Sequence, residues 1–214
     1  MLTPLAVQSE IAATWMRETA ADVAAQADHL TQLDAAIGDG DHGINMNRGF
    51  AAVGKALAGQ PDSLPPGRVL ILAGKTLVST VGGASGPLWG SFFRAAGRAL
   101  GSEESVSAEA LRAALAAGVA AVRDLGAAAP GDKTMVDALV PAIDALGAEL
   151  EAGAPLAAAL ERAAGAAADG ARATVPLQAR EGRASYLGER SIGHEDPGAA
   201  SAVLVMRALA RSVG

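Results

Sequence analysis

Three carboxylates fall within eight residues in the segment Leu33-Asp34-Ala35-Ala36-Ile37-Gly38-Asp39-Gly40-Asp41-His42-Gly43-Ile44-Asn45, at Asp34, Asp39 and Asp41. Two of them alternate with glycines, and apolar, helix-patterned sequence lies on both sides. A single Asp-Gly pair is ordinary turn chemistry. Three like charges crowded at one helix junction repel unless a cation neutralises them. Oxygen-only ligands suit a hard ion, Mg²⁺ or Ca²⁺. The spacing lacks the alternating ligand ladder and distant Glu of an EF-hand. A shallow all-Asp site for Mg²⁺ shares its ion with substrate phosphates.

A second segment, Gly82-Gly83-Ala84-Ser85-Gly86-Pro87-Leu88-Trp89-Gly90, carries a Gly-rich turn straight into a helix. Exposed N–H groups at a helix start favour anions, and glycines allow close approach. The alternative is a tight helix–helix turn that needs positive φ. Paired with the carboxylate turn, the anion-binding reading gains weight, because nucleotide phosphates need both. Two stretches imitate a P-loop. In Gly126 to Gly131, Asp132 intervenes before Lys133-Thr134; Gly74-Lys75-Thr76 lacks the first glycine. Neither follows a convincing strand, so a Walker nucleotidase is excluded. The polar stretch 174–196 holds Arg180, Arg183, Arg190, His194, Glu195 and Asp196. It reads either as a solvated loop or as a flap whose arginines neutralise phosphate charge. Of the histidines, His42 adjoins the Asp cluster, whereas His29 lies on the polar side of the first helix.

These residues must be held by helices. The 214-residue chain suits one domain, residues 1–214, and is 50% hydrophobic but only 3% aromatic. A core of Ala, Leu, Val and Ile with 26 glycines disfavours a sheet and favours closely packed helices. Apolar residues recur at helical spacing, as in Met16, Ala20, Val23, Ala27 and Leu30, or Leu111, Leu115, Val119 and Val122. Breakers divide the chain into about eight pieces: 5–32, 44–58, 66–81, 86–100, 107–125, 133–151, 155–173 and 197–212. Short connections predict antiparallel neighbours. Ser85, Ser107 and Asp196 read as N-caps, with Pro87 and Pro197 just inside their helices. Pro141 should kink the sixth helix. Val69 to Leu72 is the one strand candidate.

Composition excludes several function classes. The net charge is −6 and no stretch is strongly basic, so a nucleic-acid footprint is not expected. The absence of Cys excludes disulfides and thiolate chemistry and mildly supports a cytoplasmic setting. The first fifteen residues lack the basic region of a signal peptide. The charge-free run Thr76 to Phe93 holds too many glycines and hydroxyls for a membrane span.

The four stretches LDAAIGDGDHGINMNRGF, GGASGPLWG, PGDKTMVDAL and GRASYLGERSIGHEDPGAAS resemble, in order, the nucleotide-binding L subunit of dihydroxyacetone kinase, the DhaL family. The resemblance implies an all-α, up-down barrel of eight helices with ADP or ATP at one end. It implies two Mg²⁺ ions on Asp34, Asp39 and Asp41. It places nucleotide contacts on His42, Gly43, Ile44, Asn45, Ala84, Ser85, Gly126, Met135, Arg183, Asp196, Pro197 and Gly198. It further implies a separate K-type subunit that holds dihydroxyacetone. A phosphohistidine protein of the sugar phosphotransferase system would recharge resident ADP, and homodimerisation is left open. The competing readings are an L subunit for another small sugar and a nucleotide-sensing regulator without turnover.

Overall fold

A computed structural model describes residues 7–214. The expected helical start at residues 5 and 6 lies outside that range. Eight α-helices follow one another: α1 Ser9–Ile37, α2 His42–Ala58, α3 Pro66–Thr80, α4 Ser85–Leu100, α5 Ala108–Gly126, α6 Val136–Glu151, α7 Leu156–Ala173 and α8 Pro197–Val213. Each packs on its neighbours in sequence, and α8 returns to α1, closing an all-helical barrel. The connections 38–41, 81–84 and 127–135 and the long segment 174–196 share one end; the remaining connections form the other.

Local chemistry accounts for most helix boundaries. Ser107 caps α5 by accepting the Ala110 N–H at 3.2 Å, and Asp196 caps α8 by accepting that of Ala199 at 2.7 Å. Pro66 and Pro197 occupy first-turn positions where no N–H is needed. Ser85 is not a cap: Ala84 holds that position, and Ser85 begins the helix with its hydroxyl turned elsewhere. The first helix runs five residues past its expected end, from 32 to Ile37, since nothing before Gly38 breaks it. Asp34 therefore lies on the last helical turn. Val69 to Leu72 is helical, inside α3. A two-residue antiparallel ladder, β1 Val7–Gln8 with β2 Ser105–Val106, is the only strand pairing among the described residues. Helix α6 continues through Pro141, and the Asp137 carbonyl freed by the missing N–H faces Gly170 in α7, where an added Cβ would overlap it.

Five of the six aromatics meet in the core. Phe93 stands at the centre, with Trp15, Phe50, Trp89 and Phe92 at ring-centroid distances of 5.2–6.2 Å. Trp15 Nε1 donates to the Val205 carbonyl at 2.8 Å and so stitches α1 to α8, where the barrel closes. Elsewhere small residues set the distances. Along α3 and α4, Gly67 and Gly74 face Gly97 and Gly90. A Cβ at Gly74 would lie 2.7 Å from the Gly90 carbonyl oxygen, and one at Gly90 would lie 2.9 Å from that of Gly74. The two backbones touch almost directly.

Candidate functional site

The shared end of the barrel opens into a cleft of about 430 Å³. Its first wall is the junction of α1 and α2. Asp34, buried on the last turn of α1, accepts the N–H of Asp41 at 2.8 Å and of His42 at 3.1 Å through Oδ2. Those donors would be orphaned at the start of α2, because the Asp41 side chain makes no capping bond. Gly38 leaves room for the Asp34 carboxylate, which a Cβ would overlap. Gly40 turns the chain at φ 72°, a conformation side-chain-bearing residues avoid. The result brings one oxygen each from Asp34, Asp39 and Asp41 within 4.8 Å of one another. Arg183 Nη2 sits 3.1 Å from Asp39 Oδ2. Three converging carboxylates with no nitrogen or sulfur donor among them fit a hard divalent cation such as Mg²⁺.

His42 links this wall to the next. Its Nδ1 lies 3.0 Å from the Ser85 hydroxyl at the start of α4. Its Nε2 is buried and has no hydrogen-bond partner at ordinary geometry among the described residues. Burial drives the imidazole pKa below the ordinary value, against the opposing pull of Asp34, Asp41 and the Pro197 backbone. The ring is therefore neutral at neutral pH.

The 127–135 turn and the 174–196 segment complete the rim. Asp137 accepts the N–H groups of Gly131 and Thr134, the latter at 2.8 Å, and shapes the turn before α6. Lys133 is folded inward. Asp196, capping α8, is buried, and desolvation lifts its pKa to about 7 despite the Ala199 N–H and the nearby Lys133. Segment 174–196 is not irregular throughout: 3₁₀ turns run over Arg183–Ser191, broken at Gly188. The starts of α2, α4, α6 and α8 all open on the cleft, each contributing partial positive charge. Ile37, Leu88, Trp89, Val122, Leu125 and Met135 make an apolar wall beside them.

Most of the residues expected at the site meet here: Asp34, Asp39, Asp41, His42, Ala84, Ser85, Gly126, Met135, Arg183, Asp196, Pro197 and Gly198 line the cleft. Gly43, Ile44 and Asn45 do not line it directly; Gly43 and Ile44 turn away as α2 begins, while the Asn45 amide stands behind Gly82 of the cleft-lining turn. Gly43 packs on the Ala27 carbonyl of α1. Ile44 is 59% exposed, and Asn45 accepts from Arg48 at 2.7 Å. Lys133, Thr134 and the apolar wall do not stand out as site residues in the sequence. Helical periodicity marks Val122 and Leu125 as apolar but does not say that they face a ligand. Nothing in the sequence tells that Lys133 is buried.

Three carboxylates and four helix starts thus gather at one mouth of a closed helical barrel. A family model, the DAK2 domain, matches residues 36–211. The ADP-binding subunit DhaL of the PEP-dependent dihydroxyacetone kinase of Escherichia coli (strain K12) is 45% identical over 92% of this chain and 93% of its own. The corresponding subunit of dihydroxyacetone kinase 1 from Listeria innocua is 42% identical over 91% and 92%. Among solved structures, the dihydroxyacetone kinase of C. freundii in complex with AMP-PNP and Mg²⁺ superposes with a TM-score of 0.72 at 30% identity, covering 99% of this chain. This chain spans 35% of that one. The chain belongs to the DAK2 domain family.

Proposed function

We propose that this chain is the nucleotide-carrying subunit of a dihydroxyacetone kinase. It would hold ADP or ATP with Mg²⁺ in a single domain and hand a phosphoryl group to dihydroxyacetone bound on a separate K-type subunit. The observation that carries this reading is the meeting of Asp34, Asp39 and Asp41 with the starts of α2, α4 and α8 in one cleft beside an apolar wall. The names of the relatives agree with it.

Asp34, Asp39 and Asp41 would hold the metal, as two ions. Bound Mg²⁺ would neutralise phosphate charge and polarise the phosphoryl group under transfer. The chain's own residues bind and orient. N–H groups at the helix starts and Arg183 face the phosphates, the wall from Ile37 to Met135 takes the base, and neutral His42 holds Ser85 in place. No side chain here offers an anchor for a small ketone, so the partner supplies one and presents the attacking hydroxyl. The donor that regenerates the nucleotide is a phosphohistidine protein of the sugar phosphotransferase system. Calorimetry tests the core of the proposal: ADP should bind in the presence of Mg²⁺ and not in EDTA. A coupled assay with purified K-type subunit and a phosphohistidine donor should then turn over dihydroxyacetone. Absence of Mg²⁺-dependent ADP binding would overturn the reading.

A further inference from the structure

Lys133 lies in the turn before α6, where lysines are ordinarily solvated, yet it is 1% exposed. Its backbone adopts φ 64°, a left-handed conformation that is costly for a residue with a side chain. Folding tolerates this strain together with a buried ammonium, and the contacts of that ammonium show what is gained. Nζ donates to the Thr174 carbonyl at 2.6 Å and to the His194 carbonyl. Thr174 is the residue at which α7 ends, and His194 stands two residues before Asp196, the cap of α8. One ammonium therefore joins the first and last turns of the 174–196 segment. Two more bonds close the same neck. The Asp196 N–H donates to Thr174 Oγ1 at 3.0 Å, and the Gly193 N–H donates to the Val175 carbonyl at 2.8 Å. Asp196, Asp137 and Glu195 lie near enough to offset the buried charge. Beyond the neck the segment reaches the cleft, where Arg183 meets Asp39. Between neck and tip the Arg180 N–H donates to the Asp132 carbonyl at 3.1 Å and the Ala179 N–H to the Ser191 hydroxyl at 2.9 Å, so the turn that carries Lys133 holds the segment from its base toward Arg183.

We propose that Lys133 is a positioning residue for nucleotide binding: by tying Thr174 to His194 it fixes the neck of the 174–196 segment and so holds Arg183 at the rim of the cleft. The proposal rests on the nucleotide-carrying reading above. It differs from a general stabilising role because its effect must pass through Arg183.

The test uses Lys133→Met, which keeps length and burial and removes the donor. Tyr186, the chain's single tyrosine, sits in the segment and is 88% exposed, so 3-fluorotyrosine gives one ¹⁹F line that reports on it. In the wild type that line should be as broad as a rigid protein of this size requires. In Lys133→Met it should narrow measurably, with helical circular dichroism unchanged. Calorimetry with Mg·ADP should show Lys133→Met and Arg183→Ala each weakening binding about tenfold, and the double variant no weaker than the worse single one. An unchanged linewidth, or losses that multiply in the double variant, would overturn the proposal. A wild type that binds no Mg·ADP would instead sink the functional reading, while the linewidth still judges the neck. Should Lys133→Met fail to fold, hydrogen exchange on the wild type decides. The Gly193 and Asp196 amides should exchange as slowly as those of the flanking helices; exchange as fast as at residues 183–190 would overturn the proposal.

Discussion

Asp34 and Asp41, both proposed to hold the metal, carry different structural loads. Asp41 is exposed and its side chain makes no capping bond, so Asp41→Ala should change stability by no more than about 0.5 kcal/mol. Asp34 satisfies two N–H groups at the start of α2, and Asp34→Ala should cost about 1–3 kcal/mol. Both should abolish Mg²⁺-dependent ADP binding. Thermal melts and calorimetry on the two variants check the contrast, and equal melting temperatures would contradict it. A second expectation concerns pH. Asp196 ionises near 3.8 when unfolded and about 7 when folded, so between those values the folded state holds the extra proton. Stability from this group is complete below pH 4 and is lost as pH rises to 7. Asp196→Asn keeps an acceptor for the Ala199 N–H but stays neutral. In EDTA without nucleotide, it should gain on the wild type from pH 4 to 7.5, by on the order of 2–4 kcal/mol. Urea titrations across that range would show it; a constant difference would count against the buried acid. The sequence shows three carboxylates and marks Asp196 as a cap. It does not show that one of the three is half structural, nor that the cap is desolvated, because burial depends on elements far away in the chain.

Among the helices, contact distance is set by glycines, and they divide into two kinds. Gly43 meets the α1 backbone where a Cβ would overlap the Ala27 carbonyl. Gly43→Ala must push α1 from α2 and should cost about 1–3 kcal/mol, or roughly 3–10 °C in melting temperature. Gly165, on the exposed side of α7, has open space where a Cβ would stand, with nothing within 4 Å. Gly165→Ala should raise stability by about 0.5–1 kcal/mol through helix propensity alone. Differential scanning calorimetry of both variants separates the cases, and a shift of the same sign in both would refute the distinction. From sequence the two residues look alike: each is a glycine inside a helical pattern. The helices themselves were legible because their apolar residues repeat every three or four positions over several turns. The β1–β2 ladder was not, since two residues carry no period. Of the expected contacts, Gly43 and Ile44 lie off the cleft lining because His42 is already helical, and Asn45 stands behind Gly82.

For the whole molecule, a ligand that binds only the folded barrel adds about 2.7 kcal/mol at a hundredfold excess over its dissociation constant. Mg·ADP should therefore raise the melting temperature by roughly 5–11 °C, and EDTA should remove the gain. A melt indifferent to both would speak against a nucleotide cofactor. No helix among the described residues is long and apolar enough to cross a membrane. The chain alone, with Mg²⁺, ATP and dihydroxyacetone, should show no useful turnover until a K-type subunit is added; brisk turnover without one would show the site to be complete by itself. The glycine contacts between α3 and α4 bear on how such a molecule deforms. Backbones that touch cannot slide or rock without collision, so α3 and α4 form a stiff beam with the Gly82–Ser85 turn fixed at its tip. Across the cleft, the 174–196 segment is tied at its neck, and again by the Arg180 N–H on the Asp132 carbonyl at 3.1 Å and the Ala179 N–H on the Ser191 hydroxyl at 2.9 Å. A force applied at the mouth, by a docking partner or a departing product, would thus be carried along the α3–α4 beam to the far end of the barrel rather than absorbed at the rim.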